Sequence, residues 1–561
     1  MTIGVPMPTM SWTSGLALLP FVLLLVASAG SADSIRDISR KGDVFTYLFQ
    51  WKWTEVAEEC ENVLGPAGYR AVCVDPPLEH KKGSAWYVKY QPVSHQLISQ
   101  GGTPEEFKDM IHRCHAAGLE VYADLLLNHM ASGEGVGTAG THYTRRNFSL
   151  FSPSDFHEPC ALDDWTDRRK MQTCDLLGLP DLDTGAAGVR TKLIGLLQYL
   201  SDLGLDGIRV DAARHMSASD LRAILSPVTG SLKFAMHEDV YEGIFGDPVH
   251  PSEYYDVALG GHTGESRMMA FESASYVGDA FMSGNLASLT KFGIGGNFPP
   301  SDKSVTFTDN HDIQRHTFNI REGRCPTCNG VKGCRGYCIY YAMQAMYHAD
   351  GALHELGNAF LLAHDYGYPC LMSSYAFSDA GQGRPNDVPC SKGSSWVCEH
   401  RRASMHKMIR FRRLTAGAPV TAFSITEGGE ALAFARAGLG FFALNIGDTP
   451  WRTSLQTTLA EGSYENLING HDVVVDLNGF AELDVPALGL VALVGPARMS
   501  TRPDGYENRV SGDDVIVDSV GVADLSMPAL GHVASAAPTP TLTVNSLRRR
   551  RMLQTMLLHA A

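Results

Sequence analysis

Basic residues are scarce in this chain of 561 residues. Lysine and arginine number 46 against 61 aspartates and glutamates, so the formal net charge at pH 7 is −15. A nucleic-acid-binding surface requires a basic face that neutralises phosphates, and this composition argues against that class of partner. Hydrophobic residues make up 44% of the chain and charged residues 19%, as in a folded globular protein rather than a disordered one.

Charge is absent altogether from the first 32 residues. Residues 15–27 form an apolar run, GLALLPFVLLLVA, and small residues follow it. This run is shorter than the roughly 20 residues that cross a bilayer, and no later segment is long and apolar enough to do so. The pattern predicts a signal peptide over 1–32, cleaved after Ala29 or Ala32, rather than a membrane anchor. We therefore expect a secreted or lumenal protein with no stable membrane insertion.

The chain has 12 cysteines, an even number that suits an oxidising compartment. Four of them lie in the segment CPTCNGVKGCRGYC, as Cys325, Cys328, Cys334 and Cys338. Their spacing is compatible with a zinc site. In a secreted chain two local disulfides are favoured instead, and three pairings are open.

Short apolar runs alternate with helical patterns between Asp43 and about Leu414. The runs include GYRAVCV, LEVYADLLL and DGIRVDAA, and the helical stretches include PEEFKDMIHRCHAAG and VRTKLIGLLQYLSDLG. This order predicts an α/β fold with a parallel sheet, and its length favours a closed (β/α)8 barrel over 43–128 and 184–415. The connection over 129–183 is too long for a simple loop, so we predict an excursion domain after the third strand.

The pattern changes from about Pro419. The runs ALAFARAG, LGFFALNIG, HDVVVDLNG and LGLVALVG are broken by glycine and asparagine. They predict a C-terminal antiparallel β-sandwich domain over 419–497. Residues 498–561 are rich in serine, alanine, proline and threonine, and we expect a poorly ordered tail there, which ends near Arg548 to Arg551.

Four acids follow apolar runs of the predicted barrel: Asp124, Asp211, Glu238 and Asp312. Chemistry in barrel enzymes collects at the C-terminal ends of the strands. A single buried acid is often a structural hydrogen-bond acceptor, but four in one barrel mouth indicate a site. Arg209 precedes Asp211 by two residues, so both side chains point to the same side of a strand, and its charge keeps the carboxylate ionised. Glycoside hydrolysis pairs such a nucleophile with a second, protonated carboxyl group.

Four segments resemble, in sequence and in order, the signature segments of the α-amylase family: ADLLLNHM, GIRVDAARHM, AMHEDV and FTDNHD. The flanking segments ECENVLGPAGY, YQPVSHQL, EEFKDMIHRC, CDLLGLPDLDT, LMSSYAFSD and SWVCEHR are similar to animal-type α-amylases and their bacterial relatives. The resemblance runs from about Val44 to Val494. It implies retaining, endo-acting hydrolysis of α-1,4-glucosidic bonds in starch, glycogen and related oligosaccharides.

The resemblance also implies a role for each acid. Asp211 would be the nucleophile, Glu238 the general acid and base, and Asp312 the stabiliser of the transition state. Because the family retains anomeric configuration, the two working carboxyls should lie roughly 5 to 5.5 Å apart. Sugar contacts are implied at nine further positions: Trp86, Tyr87, Tyr90, Gln91, His129, Arg209, Arg214, His215 and His311. Arg214 stands where the animal enzymes have lysine, and it donates with a different geometry.

The family holds a structural calcium ion between the barrel and the excursion domain. Calcium prefers several oxygen ligands, including carboxylates and backbone carbonyls. The matching positions are the side chains of Asn128 and Asp181 and the backbone carbonyls of Gln172 and His215. We therefore expect a structural Ca²⁺ ion at these residues.

Animal relatives also bind chloride through three positions. Arg209 and Asn310 match two of them, but the third, a basic residue, aligns with Cys370, which supplies no positive charge. We therefore expect activity without chloride.

Three cysteine pairs match disulfides of the animal relatives: Cys60–Cys114, Cys160–Cys174 and Cys390–Cys398. The resemblance implies no partner for Cys73 or Cys370. Two alternatives stay open, a family member of other specificity (a maltooligosaccharide hydrolase or a transglycosylase) and an inactive carbohydrate-binding homologue. The usual sign of an inactive homologue is a lost catalytic acid, and all three acids are present here. We expect a monomer whose partner is a polysaccharide or oligosaccharide substrate.

Overall fold

The computed structural model describes residues 40–240, 248–261, 263–295, 298–322 and 345–495. Three predicted features lie outside the described residues: the signal peptide over 1–32, the tail over 498–561, and the cluster of Cys325, Cys328, Cys334 and Cys338. None of the helices in the described ranges has the length and apolar character needed to cross a membrane.

Ten strands precede the C-terminal part of the chain. They are β1 (Phe45–Leu48), β2 (Ala71–Val74), β3 (Glu120–Leu126), β4 (Gly135–Val136), β5 (His142–Tyr143), β6 (Gly207–Asp211), β7 (Phe234–His237), β8 (Glu265–Met269), β9 (Ser304–Thr306) and β10 (Tyr368–Ser373). Strands β4 and β5 form a separate hairpin. The other eight close into a parallel barrel in the order β1-β10-β9-β8-β7-β6-β3-β2, which confirms the predicted fold.

The described α-helices of this part of the chain surround the barrel, except α4, which lies in the excursion domain. They are α1 (Trp53–Glu59), α2 (Gly65–Ala67), α3 (Pro104–Ala116), α4 (Arg168–Thr173), α5 (Ala187–Asp202), α6 (Ala218–Leu225), α7 (Phe271–Ser283), α8 (His311–Arg321), α9 (Ala352–Ala363) and α10 (Ala403–Leu414). Helix α3 begins with a capping box, in which Thr103 Oγ accepts from the Glu106 amide at 3.2 Å and the Glu106 carboxylate accepts from the Thr103 amide at 2.9 Å. Its apolar side packs on the barrel.

An ion-pair network closes the N-terminal end of the barrel. The Arg40 guanidinium lies 3.0 Å from Glu120 at the start of β3 and 2.7 Å from Glu265 at the start of β8. The same group lies 5.1 Å from the ring centres of Phe234 and Tyr368. This end of the barrel is therefore filled with side chains, and the opposite end carries the candidate site.

The excursion domain lies between β3 and α5, as the fold prediction has it. It contains the β4–β5 hairpin and α4, and the Cys160–Cys174 disulfide lies within it. Two backbone hydrogen bonds join its end to the end of β3. The Leu182 amide donates to the Asn128 carbonyl at 2.9 Å, and the Met130 amide donates to the Pro180 carbonyl at 3.1 Å.

The C-terminal part consists of eight antiparallel strands. They are β11 (Val420–Ile425), β12 (Ala431–Arg436), β13 (Gly440–Asn445), β14 (Trp451–Gln456), β15 (Gly462–Glu465), β16 (Asp472–Val475), β17 (Phe480–Val485) and β18 (Gly489–Val494). They form two four-stranded sheets, in the orders β11-β12-β13-β18 and β14-β17-β16-β15. Buried side chains of both sheets, among them Phe441 and Leu483, share one core, and the predicted β-sandwich is thereby confirmed.

All three disulfides predicted from the resemblance are formed. They join Cys60 to Cys114, Cys160 to Cys174 and Cys390 to Cys398. Cys73 on β2 and Cys370 on β10 are free thiols. The first disulfide ties the segment after α1 to α3, and the last lies in the loop after β10, close to the mouth of the barrel.

Candidate active site

One buried guanidinium holds three carboxylates together at the C-terminal end of the barrel. Arg209 on β6 is 1% exposed. Its Nη1 atom lies 2.7 Å from Asp124 Oδ1 and 3.0 Å from Asp211 Oδ1, and its Nη2 atom lies 2.7 Å from Glu238 Oε1. The three acids come from β3, β6 and the end of β7, which are neighbours in the barrel. The predicted pairing of Arg209 with Asp211, two residues apart on one strand, is present.

The sequence suggested that Asp124 ends its strand, but it does not. Strand β3 continues to Leu126, so the Asp124 carboxylate lies within the barrel and is fully buried. The hydroxyls of Tyr90 and Tyr47 donate to its Oδ2 atom at 2.9 and 3.2 Å. Asp124 therefore lies beneath the mouth of the barrel, where it fixes Arg209 and two tyrosines.

Asp211 and Glu238 lie at the mouth of the barrel itself. Asp211 is the last residue of β6, and Glu238 follows directly after β7. Ala212 then takes a left-handed conformation with φ of 51°, and its amide donates to Glu238 Oε2 at 2.9 Å. The side chains of Asp211 and Glu238 are 12% and 13% exposed, so both can be reached from the cleft.

Asp312, like Asp124, does not lie at the end of a strand. Strand β9 ends at Thr306, and Asp312 lies in the first turn of α8, where the Asn310 side chain caps the helix by accepting from the Ile313 amide at 2.8 Å. His311 Nε2 lies 3.2 Å from Asp312 Oδ2. The helix start, rather than the strand, brings this third acid to the mouth.

The charges in the site do not balance. Burial raises the pKa of Asp211 well above its usual range, and the neighbouring charge of Glu238 raises it further. Burial raises the pKa of Asp312 to about 7 and that of Asp124 to about 6. The charge of Arg209 opposes all three shifts without reversing them, so the expectation that Arg209 alone keeps Asp211 ionised is wrong. Because Arg209 pairs with three carboxyls and a fourth lies nearby, the acids outnumber the cations and the cluster keeps a proton near neutral pH.

The aromatic side chains predicted to contact sugar lie beside these acids on a short 3₁₀ helix, Trp86–Tyr90. Trp86 is half-buried, and its indole nitrogen donates to the Ala380 carbonyl at 2.7 Å. Tyr87 is 47% exposed. Tyr90 is buried, and its ring stacks on His311 with 5.2 Å between ring centres. The helix thus presents Trp86 and Tyr87 outwards and uses Tyr90 as support.

Two histidines of the predicted set are neutral and fixed by backbone carbonyls. His129 Nε2 lies 3.1 Å from the Tyr90 carbonyl, and burial lowers the pKa of His129 to about 4. His215 Nδ1 lies 2.9 Å from the Met171 carbonyl, and burial lowers the pKa of His215 to about 3. Both rings are therefore neutral at working pH, with orientations set by the chain around them.

Gln91 and Arg214 are engaged with protein groups. Gln91 Oε1 accepts from Ser132 Oγ at 3.1 Å. Arg214 is almost fully buried, its Nη1 atom donates to the Val240 carbonyl, and its Nε atom lies 3.5 Å from Asp239 Oδ1. The direct contacts of both residues with sugar stay predictions.

Known proteins resemble this chain over most of its length. Residues 86–224 match the catalytic domain of the alpha amylase family, and residues 425–495 match the alpha amylase C-terminal all-beta domain. An alpha-amylase of Streptomyces violaceus is 35% identical over 472 residues, which cover 83% of this chain and 76% of that protein. The chain belongs to the α-amylase family of glycoside hydrolases.

Two further α-amylase relatives extend this result to animals. An alpha-amylase-related protein of Drosophila sechellia is 34% identical over 485 residues, which cover 79% of this chain and 91% of that protein. A solved structure of an alpha-amylase I variant from Eisenia fetida, in complex with maltohexaose, superimposes with a TM-score of 0.71 and 27% identity. It covers 81% of this chain and 97% of that chain.

The residues expected to bind calcium in an α-amylase fit that ion. The Asn128 Oδ1 and Asp181 Oδ1 atoms are buried, and neither accepts a hydrogen bond from the described part of the protein. Burial raises the pKa of Asp181 to about 7, although His157 Nδ1 lies 2.7 Å from its other oxygen. Two buried oxygens without donors are costly unless a cation compensates them.

The remaining calcium positions lie on adjacent segments. Helix α4, which contains Gln172, packs against the 3₁₀ turn Ala213–His215, and Gln172 Nε2 lies 3.5 Å from the Met216 carbonyl. Among the described residues, no three His, Cys, Asp or Glu side chains are grouped as a metal site. A calcium site here therefore depends on amide and main-chain oxygens as well as on one carboxylate.

Sequence reasoning missed two residues that shape the site. Tyr47 on β1 donates to Asp124 and lies 3.0 Å from the Tyr90 hydroxyl. Arg315 lies one helical turn after Asp312 and is buried among aromatic rings. The spacing of Arg315 from Asp312 was a usable signal, since residues three apart on a helix share a face. Tyr47 gave none, because only the closed barrel brings β1 next to the acids.

Replacing Arg209 by lysine tests whether one guanidinium organises the site. A single ammonium cannot hold Asp124, Asp211 and Glu238 at once. Misplacement of catalytic groups by about 1 Å can cost about 100-fold in rate, so we expect kcat/KM on soluble starch to fall by about 100-fold or more. Arg267→Lys is the matched control, since Arg267 is equally buried but pairs with Glu265 and the Ser304 carbonyl, away from the acids. Wild-type kcat/KM in Arg209→Lys would contradict the assignment.

Proposed function

We propose that this protein is a retaining, endo-acting hydrolase of α-1,4-glucosidic bonds in starch, glycogen and related oligosaccharides. The observation that carries the proposal is the set of carboxyls held around Arg209, with Asp211 and Glu238 both open to the cleft. The related structure in complex with maltohexaose supports an α-glucan as the substrate class. The half-exposed ring of Tyr87 beside the acids supports binding of an extended sugar chain.

In the first step Asp211 attacks the anomeric carbon of the glucose unit before the scissile bond. Glu238 donates its proton to the glycosidic oxygen as the bond between that oxygen and the anomeric carbon breaks. The leaving sugar departs with a new hydroxyl, and the enzyme keeps a glucosyl ester on Asp211. The cluster holds a proton because its carboxyls outnumber its cations, and this step requires that proton on Glu238 with Asp211 ionised.

In the second step Glu238, now ionised, takes a proton from water. The resulting hydroxide equivalent attacks the anomeric carbon, and the ester bond to Asp211 breaks with its electrons returning to the carboxylate. Two displacements give net retention. Arg209 stays between Asp211 and Glu238 through both steps and compensates whichever of them is charged.

Asp312 and His311 act on the sugar as the transition state forms. The anomeric carbon gains positive charge, which the nearby Asp312 carboxylate stabilises. His311, whose pKa burial holds well below its usual range, is a neutral donor to sugar hydroxyls. Trp86 and Tyr87 stack on sugar rings further along the cleft, and Tyr90, Gln91, His129, Arg214 and His215 complete the contacts of the substrate.

A calcium ion bound by the Asn128 and Asp181 side chains, with the Gln172 and His215 carbonyls, would join the excursion domain to the barrel. When bound, it supplies electrostatic attraction among these oxygens and takes no part in bond cleavage. His129 follows Asn128 directly, so the same strand end orients a ligand and a sugar contact. The three disulfides fit a secreted protein, and we place the enzyme outside the cell as a monomer.

Glu238→Gln tests the acid assignment. Glutamine keeps the shape of the side chain but has no transferable proton, so release of reducing sugar from soluble starch should become undetectable while the circular dichroism spectrum stays native. Glu272→Gln is the matched control. Glu272 is also largely buried, and burial raises its pKa to about 8, so it is already neutral at working pH and its amide variant should keep full activity.

The product pattern of the wild-type enzyme tests the endo-acting mode. Mixed oligosaccharides with the α-anomeric configuration should appear early in digestion of soluble starch. A single maltooligosaccharide product, or transfer products longer than the substrate, would replace this proposal with another specificity of the family.

Turnover by Glu238→Gln would refute the proposed acid.

Calcium removal should lower stability as well as activity. A ligand at 100 times its Kd stabilises by about 2.7 kcal/mol, so for a chain of this size chelation with EGTA should lower Tm by about 3 °C. Asp181→Asn should lower Tm in calcium and weaken the response to EGTA. Asp183→Asn, a change at a neighbouring half-exposed acid outside the ligand set, should keep the full response. Equal Tm with and without EGTA in the wild-type protein would exclude this site.

Chloride should have no effect on turnover. Burial raises the pKa of the Cys370 thiol above its ordinary value, so Cys370 is neutral, and Arg209 is already engaged with three carboxylates. We expect equal kcat in sodium chloride and in sodium acetate of the same ionic strength, for the wild type and for Cys370→Ala. A large loss of kcat in the chloride-free buffer would overturn this proposal.

A further inference from the structure

Arg315 is a buried cation that the mechanism above does not use. It lies on α8, three residues after Asp312, and is 3% exposed. Its Nη1 atom donates to the His311 carbonyl at 3.2 Å and to Gln314 Oε1 at 2.9 Å. The Nε and Nη2 atoms have no hydrogen-bond partner within the described residues. A buried guanidinium without a carboxylate bonded to it is costly, and such a group calls for a compensating interaction.

Aromatic rings provide that compensation. The guanidinium carbon lies 4.5 Å from the ring centre of Phe377, 4.9 Å from Phe49, 5.2 Å from Tyr375 and 5.5 Å from Trp86. Such contacts between a cation and a ring face are attractive, and the attraction is stronger when the pair is buried away from water. The rings come from three separate parts of the barrel mouth: the segment after β1, the 3₁₀ helix and the segment after β10.

The same rings touch the residues that meet the substrate. Phe49 stacks on His311 with 4.8 Å between ring centres and an angle of 8° between the planes. Trp86, the outward-facing aromatic of the 3₁₀ helix, lies 5.2 Å from His311. Arg315 therefore contacts Trp86 through its ring and His311 through its backbone carbonyl.

Arg315 also balances the charge near Asp312. The charges of Arg209 and Arg315 lower the pKa of Asp312, and those of Glu238 and Asp124 raise it, together with burial. His311, 3.2 Å away, is neutral. Arg209 is shared among Asp124, Asp211 and Glu238, whereas no salt bridge joins Arg315 to a carboxylate in the described ranges. The positive charge of Arg315 is therefore not divided among ion pairs. Asp312 is the acid that lies on the same face of α8 as Arg315.

We propose that Arg315 is a positioning residue for the glycosidic reaction, which fixes Trp86 and His311 through its aromatic cage and favours the ionised form of Asp312 in the transition state. This inference rests on the proposed function. Methionine in place of Arg315 retains apolar contact with the rings but removes the charge. Lysine retains the charge but cannot stack as a planar group or donate in a fork.

The two variants should separate these roles. In Arg315→Met the pKa of Asp312 rises, so the acid limb of the kcat–pH profile should move to higher pH by about one unit, equivalent to a tenfold loss of kcat on that limb. In Arg315→Lys the acid limb should stay in place while KM for a maltooligosaccharide rises, because Trp86 is less firmly held. Arg321→Met is the matched control. It changes an arginine on the same helix that pairs with Asp350 at 2.9 Å and contacts the Tyr347 ring, and it should alter neither parameter.

Wild-type pH profiles and KM values in both Arg315 variants, with only Tm lowered, would overturn the inference and leave Arg315 a purely structural residue. If Arg315→Met does not give folded protein by circular dichroism, Arg315→Gln provides the uncharged variant, and the same shift of the acid limb is expected. Failure of the proposed function is distinguishable, because wild-type protein would then release no reducing sugar from starch under any of these conditions.

Discussion

The ion-pair cluster around Arg209 is the constraint on which the rest of the site depends. A guanidinium and a carboxylate each lose several kcal/mol of hydration on burial, and only close mutual contacts recover that loss. Arg209 has five N–H donors in a planar fork, which suits it to carboxylates arriving from β3, β6 and the end of β7. The parallel register that sets Asp124 opposite Arg209 is therefore fixed by charge as well as by apolar packing.

The cluster contains more acidic than basic side chains. Their repulsion costs free energy, but it also lets the site hold the proton that the reaction needs. Removal of carboxyls would relieve the repulsion, but a site for glycoside cleavage needs one ionised and one protonated carboxyl in the same small volume. Burial and proximity provide that state without a special acid, because neighbouring carboxyls cannot all ionise together. The neutral histidines around them, His129, His215 and His311, add donors without adding charge that would compete with Arg209.

The barrel, the excursion domain and the β-sandwich follow from patterns that are local in sequence. Buried parallel strands give continuous apolar runs, and an exposed sandwich gives short strands broken by glycine. The pairing of Arg209 with Asp211 was likewise predictable from their spacing. The depth of Asp124 and the helical position of Asp312 were not, because the ends of β3 and β9 depend on hydrogen bonds to strands distant in sequence. The contact of Arg214 with Asp239 joins two separate loops, and no local pattern encodes it.

The two buried arginines of the site show how position determines the role of one chemical group. Arg209 lies among strand carboxylates, and its charge is compensated by ion pairs. Arg315 lies at a helix start where aromatic rings converge, so its charge is compensated by contacts with ring faces, and it lowers the pKa of Asp312 alongside Arg209. Arg209, inside the cluster, holds in place the two acids that form and break bonds. Arg315, beside the cluster, lowers the pKa of Asp312, which takes part in neither. Both cations lower the pKa of Asp312, Arg209 more than Arg315, so loss of Arg315 alone should remove only part of the compensation of this acid.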